Sequence, residues 1–200
     1  TQTVCIGYKA GGSINGIIAN GTVAIGYEAG RLLQNQIGNT IIGWHAGHNM
    51  ATTTQHTTLL GYEAGASLGF NATDGQGCIC IGYKSGLNIT NGIDNTIVGT
   101  EAGINISSGQ RNSCFGNDCG KAITTGSNNV CIGDRADVLT GNAQNRIVIG
   151  SAVADNTTVV APADNTAVIG NSSITDIFCN QTAPPLGDAG AIIHSNGLVC

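Results

Sequence analysis

Bulky apolar residues recur along the chain in short triplets that end on a glycine. Val23-Ala24-Ile25-Gly26 is one such unit, followed by Tyr27-Glu28-Ala29-Gly30. Variants open the chain (Val4-Cys5-Ile6-Gly7-Tyr8-Lys9-Ala10-Gly11), stand in its middle (Ile79-Cys80-Ile81-Gly82-Tyr83-Lys84-Ser85-Gly86) and return near its end as Ala167-Val168-Ile169-Gly170. The glycine after the triplet marks the register and falls at Gly7, Gly26, Gly43, Gly61, Gly82, Gly99, Gly116, Gly133, Gly150 and Gly170. Successive intervals are 19, 17, 18, 21, 17, 17, 17, 17 and 20. A base period of 17 with insertions of one to four residues is the pattern of a solenoid, with one coil per repeat and insertions looping out at corners. The expected fold is all-β, a parallel β-solenoid of about ten coils and roughly 50 Å at ~4.8 Å per coil.

Each column of the repeat carries its own chemistry. The residue before the glycine is always bulky and apolar, from Ile6, Ile25 and Ile42 through Phe115 to Ile149 and Ile169. The residue before that is Cys5, Ala24, Ile41, Leu59, Cys80, Ile97, Cys114, Cys131, Val148 or Val168. Neighbours on a strand point to opposite faces, so both faces of this strand are apolar, as in parallel sheets covered on both sides. A coil covers only the face turned into its own interior, and the chain has no spare element for the other. Self-association is therefore expected. After the glycine stand Tyr8, Tyr27, Trp44, Tyr62 and Tyr83, expected to form one aromatic ladder; from Thr100 onward the column turns polar.

The next column, Lys9, Glu28, His45, Glu63, Lys84, Glu101, Asp118 and Arg135, suits a solvated ladder of exposed ion pairs worth at most ~1 kcal/mol each. A small-residue column follows (Ala10, Ala29, Ala46, Ala64, Ser85, Ala102, Cys119, Ala136), which signals close backbone approach inside a tight corner or between chains. A second glycine comes next in seven coils, from Gly11 to Gly120, and reads as a positive-φ corner. The turns around Asn91-Gly92, Ser108-Gly109 and Asn128-Asn129 read as corners in which Asn and Gly take the left-handed conformation. Residues 1–170 are thus expected to be the repeat shaft. Residues 171–200 break the period and read as a non-repeat cap, with two short strands around Ser195-Asn196-Gly197.

Composition sharpens this reading. Thirty-one glycines, three prolines and only 10% charged residues fit an object with many corners. A net charge of −5 without a Lys/Arg cluster gives no nucleic-acid footprint, and no apolar run reaches the ~18 residues of a membrane span. The chain opens in mid-repeat, which reads as a fragment or a processed product. Of the eight cysteines, Cys5, Cys80, Cys114 and Cys131 lie in an apolar column and read as small buried hydrophobes. Cys114 and Cys131 share that column in adjacent coils and form a candidate disulfide. Cys78 and Cys80 share a strand face, but no second ligand pair follows at zinc spacing.

Seven N-x-S/T sequons are candidate glycosylation sites. Asn88, Asn105 and Asn156 share one column six after the register glycine and are preferred over Asn20, Asn71, Asn171 and Asn180. His45, His48, His56 and His194 do not group, so no metal site is expected, and no cofactor or catalytic set can be named. The longest insertion, with Phe70, and the ladder Tyr8, Tyr27, Trp44, Tyr62 and Tyr83 are the candidate ligand contacts.

Repeats such as Asn39-Thr40-Ile41-Ile42-Gly43-Trp44-His45-Ala46-Gly47 resemble the left-handed β-roll heads of trimeric autotransporter adhesins, and still more the shafts of phage and large-virus tail fibres. Val168-Ile169-Gly170-Asn171-Ser172-Ser173-Ile174-Thr175, followed by Ile192-Ile193-His194-Ser195-Asn196-Gly197-Leu198, resembles the junction before a self-cleaving intramolecular chaperone domain. The resemblance implies a parallel homotrimer, extracellular or on a virion surface. It also implies a chaperone that once followed Cys200 and was removed. Beside the homotrimer, end-to-end filament contacts and a cell-surface glycan or protein receptor stand as candidate partners. The 17-residue period is longer than the usual autotransporter head repeat, and the cysteine and sequon content is high for a phage. The expected function is a structural and adhesive fibre segment without catalysis. The rivals are a single-chain left-handed β-helix enzyme, which lacks its six-residue periodicity here, and a glycan-degrading tailspike, which needs carboxylates gathered in a groove.

Overall fold

The computed structural model describes residues 2–12, 21–33, 37–50, 54–69, 77–152, 159–161, 163–171, 173, 192–194 and 197–199. The strands are all three residues long: β1 (Val4–Ile6), β2 (Val23–Ile25), β3 (Thr40–Ile42), β4 (Thr58–Leu60), β5 (Ile79–Ile81), β6 (Thr96–Val98), β7 (Ser113–Phe115), β8 (Val130–Ile132), β9 (Ala136–Val138), β10 (Ile147–Ile149), β11 (Val159–Ala161), β12 (Ala167–Ile169), β13 (Ile192–His194) and β14 (Gly197–Val199). One ten-stranded parallel sheet runs β1 to β8, then β10 and β12. It is a β-solenoid, and among the described residues there is no helix. Strands pair with the repeat in register, so that Ile97 lies beside Cys114 and Val98 beside Phe115. A second sheet pairs β9 with β11, and β13 pairs antiparallel with β14 across His194 and Gly197, the two short strands expected near the C-terminus.

The register glycine is what lets one coil lie on the next. Gly99 has φ of 140°, and a Cβ there would overlap the carbonyl oxygen of Gly116 in the following coil. The Gly99 N–H donates to the Ile81 carbonyl at 2.8 Å, and two residues on the Glu101 N–H donates to the Tyr83 carbonyl at 2.8 Å. The charged column also bends the chain. Lys9, Glu28, His45, Glu63, Lys84, Glu101, Asp118 and Arg135 all sit at φ of 50–54°, a left-handed position that residue type did not announce.

Three columns fill the interior. The central strand residue points inward, as Ile41, Leu59, Ile97 and Val148 do with no exposure. The small column Ala29, Ala46, Ala64, Ser85, Ala102, Cys119 and Ala136 is equally buried, so its close approach lies inside the coil. The third column lies seven residues after the register glycine: Leu33, Met50, Leu68, Ile89, Ile106 and Ile123. Small and large residues alternate around the coil and together fill its narrow interior. Cys5, on the outermost strand of the sheet, is exposed, whereas Cys78, Cys80, Cys114, Cys119 and Cys131 are buried.

A polar ladder also runs inside. Asn39, Asn95, Asn112 and Asn129 stand four residues before the register glycine and are fully buried. The Asn112 amide donates to Asn95 Oδ1 at 3.1 Å and to the Gly126 carbonyl at 2.9 Å. Its Oδ1 accepts from the backbone N–H of Asn129 at 3.1 Å and from the Asn129 side chain at 3.0 Å. This corrects the expectation for the corners. The left-handed residues there are Asp94, Arg111 and Asn128, each just before a ladder asparagine. Gly92, Gly109 and Gly126 are instead places where a Cβ would collide with the next coil.

Candidate functional site

On the outward side of the main sheet the column before the register glycine is apolar from end to end, while Thr40, Thr58, Thr96 and Ser113 make the column two residues earlier partly polar. The residue before each register glycine is never buried: Leu60 is 42% exposed and Phe115 40%, against 0% for their inward neighbours Leu59 and Cys114. Ile6, Ile132, Ile149 and Ile169 are exposed on the same stripe, joined by Val4 and Ile147 two residues earlier on their strands. The alternation of the pleat produces this stripe directly.

Beside it runs the aromatic ladder. Ring centroids are 5.2 Å apart from Tyr8 to Tyr27, 6.2 Å from Tyr27 to Trp44, 4.6 Å from Trp44 to Tyr62 and 5.4 Å from Tyr62 to Tyr83. Interplanar angles of 10–22° make this a stack. Because each inner ring covers its neighbour's face, the ladder presents ring edges and polar tips outward. Lys9 and Lys84 lie over the rings of Tyr8 and Tyr83 at 5.1 and 5.2 Å. Phe70 lies outside the described residues.

The charged column forms ion pairs between successive coils, Lys9–Glu28 at 3.8 Å and Glu63–Lys84 at 3.7 Å, and Lys121, from outside the column, reaches Glu101 at 3.0 Å and Asp118 at 2.8 Å. At one place it does more. His45 and His48, expected to stand apart, come together with Glu28. His48 Nε2 is 2.8 Å and His45 Nε2 3.6 Å from Glu28 Oε2. The hydrogen bond from His48 holds the Glu28 carboxyl below its usual range, and burial holds the His45 imidazole below its own. The spacing of three concealed the grouping, because Glu28 arrives from the neighbouring coil.

Asn88 and Asn105 are exposed at equivalent corners, and Asn171 is half-buried, with its side chain donating to the Ser151 carbonyl. The Asn105 side chain donates to the Lys121 carbonyl at 3.0 Å. Asn20, Asn71, Asn156 and Asn180 lie outside the described residues. Cys114 and Cys131 are in register across β7 and β8 and are free thiols. Cys119 joins them from the small column and donates to the Cys131 carbonyl at 2.8 Å. Hydrogen bonding with Cys119 and Cys131, together with burial, pushes the Cys114 thiol well up.

Asp137 replaces the second glycine at β9. It accepts the backbone N–H of Ala122 at 2.8 Å and of Val138 at 2.7 Å, and burial raises its carboxyl to about 7. Among the described residues no helix is long and apolar enough to cross a membrane. Comparison with known proteins finds no family model, no curated protein and no solved structure that matches the chain.

Proposed function

We propose that the chain is a structural and adhesive fibre segment, a shaft in which identical copies lie side by side and parallel. The observation that supports this is the unbroken apolar stripe on the outer side of the sheet. Its residues repeat once per coil, at the rise of the solenoid. A partner that covers every rung must carry the same rise, and a second copy of the chain does so by construction. Three copies is the number that the resemblance to trimeric adhesins and fibre shafts implies. Such a shaft acts by length and by its surface, on a virion or outside a cell, and needs no catalysis. The aromatic ladder is the surface proposed for a glycan or protein receptor, which would meet phenol hydroxyls and ring edges.

Substituting Ile81→Glu and Ile132→Glu together puts charges into the stripe without touching the interior. The expected result is loss of association in light scattering with unchanged β-type circular dichroism. An unaltered mass would rule out the stripe as the contact between copies.

A further inference from the structure

We propose that Glu28, His45 and His48 form a binding site for a divalent transition-metal ion, zinc foremost, between the turns that follow β2 and β3. Glu28 and His45 occupy the same column in successive coils, both at φ of 53°, which fixes where their side chains start. His48 lies one turn on, its N–H donating to the His45 carbonyl at 3.2 Å. The three ligand atoms lie within 4.8 Å of one another, and the set is half-buried. A tetrahedral zinc ion with bonds of about 2.1 Å holds its ligand atoms about 3.4 Å apart. The 3.6 Å between His45 Nε2 and Glu28 Oε2 already fits, and the 2.8 Å of His48 needs only a small opening.

Two further observations fit these residues to an ion. His45 Nε2 is buried without a hydrogen-bond partner. Both ring nitrogens of His48 face oxygens, Nδ1 toward Asn49 Oδ1 at 2.9 Å and Nε2 toward Glu28 Oε2 at 2.8 Å. A neutral imidazole carries one N–H and satisfies only one of them. In the metal-free chain Nε2–H donates to Glu28; with an ion bound, Nδ1–H would be donated to Asn49 and the Nε2 lone pair to the metal, the arrangement by which an outer hydrogen bond orients a metal-binding histidine. Two imidazoles and one carboxylate suit zinc, copper or nickel, and three protein ligands leave a fourth position open. The ammonium of Lys9 and the guanidinium of Arg31 also lean on Glu28, at 3.8 and 3.9 Å. They weaken the site without occupying it.

Trp44, the only tryptophan, stacks on His45 with centroids 3.4 Å apart and is a built-in reporter. The test is calorimetric titration of the full chain with zinc chloride, together with copper(II) quenching of Trp44 fluorescence. One ion per chain is expected, with affinity falling at least about tenfold in His48→Gln and in Glu28→Gln and holding in His56→Gln. The absence of saturable zinc uptake, or uptake that is equally strong in both substituted chains, would overturn the site. Both substitutions lie outside the packed interior, and circular dichroism confirms that each variant is folded.

Discussion

Asn112 makes all four hydrogen bonds that a side-chain amide allows, and every partner is inside the coil. Removing it strands the backbone and side-chain donors of Asn129 and the Gly126 carbonyl, while Asn95 Oδ1 keeps only the Asn112 backbone N–H. At about 1–3 kcal/mol for each buried group left unpaired, Asn112→Ala is expected to cost about 3 kcal/mol or more. Asn105→Ala, on the exposed corner, is expected to cost under about 1 kcal/mol. Urea unfolding at one protein concentration separates the two, and equal midpoints would refute the ladder as a stabilising element. This role was not legible in the residues. Asn95, Asn112 and Asn129 lie in turn-like strings, where asparagine reads first as a corner residue. Their common offset from the register glycine was the signal, diluted by Thr22, Thr57, Cys78 and Arg146 in the same column. The grouping of Glu28 with His45 and His48 was hidden for a related reason, since it joins two coils and follows no local spacing.

At the level of the coil, most of the design was readable. The apolar triplet, the register glycine and the aromatic column fixed strand positions, pairing register and stacking, because a parallel solenoid brings equal positions together. The column of Leu33, Met50, Leu68, Ile89, Ile106 and Ile123 was equally present in the sequence and went unread, because single apolar residues amid turn residues do not look like an element. The left-handed Lys, Glu, His, Asp and Arg positions could not be read at all, since their conformation is imposed by the turn between two glycines.

The register glycine carries the sharpest expectation. Gly99→Ala places a methyl against the next coil and forces φ of 140° on alanine. It is expected to cost at least about 3 kcal/mol, lowering Tm by about 6–12 °C. Gly21→Asn is expected to change stability by less than about 1 kcal/mol. Gly21 also has positive φ, but of 69°, which asparagine tolerates, and the nearest atom to an added Cβ is 3.9 Å away. Thermal unfolding of the two variants gives the comparison, and a tolerated Gly99→Ala would mean that the coils are not in this contact.

For the whole molecule the decisive feature is imbalance. The interior is closed by three apolar columns and a polar ladder, while the opposite side of the same sheet carries ten rungs of apolar side chains that are exposed or half-buried. The length and continuity of this stripe are what support the proposed contact between copies. The apolar inward positions lie five, four and eight residues apart, so the coil does not follow a six-residue repeat. The sequence carried the stripe as clearly as the fold, since alternation on a strand makes one from the other. The receptor was not legible, because exposed ring edges and hydroxyls suit more than one ligand chemistry. The central claim is that identical copies cover the stripe, and it is tested most directly by the native mass in solution, measured by light scattering. Three chains per particle, with β-type circular dichroism, is the predicted result. A stable, folded single chain at micromolar concentration would contradict it.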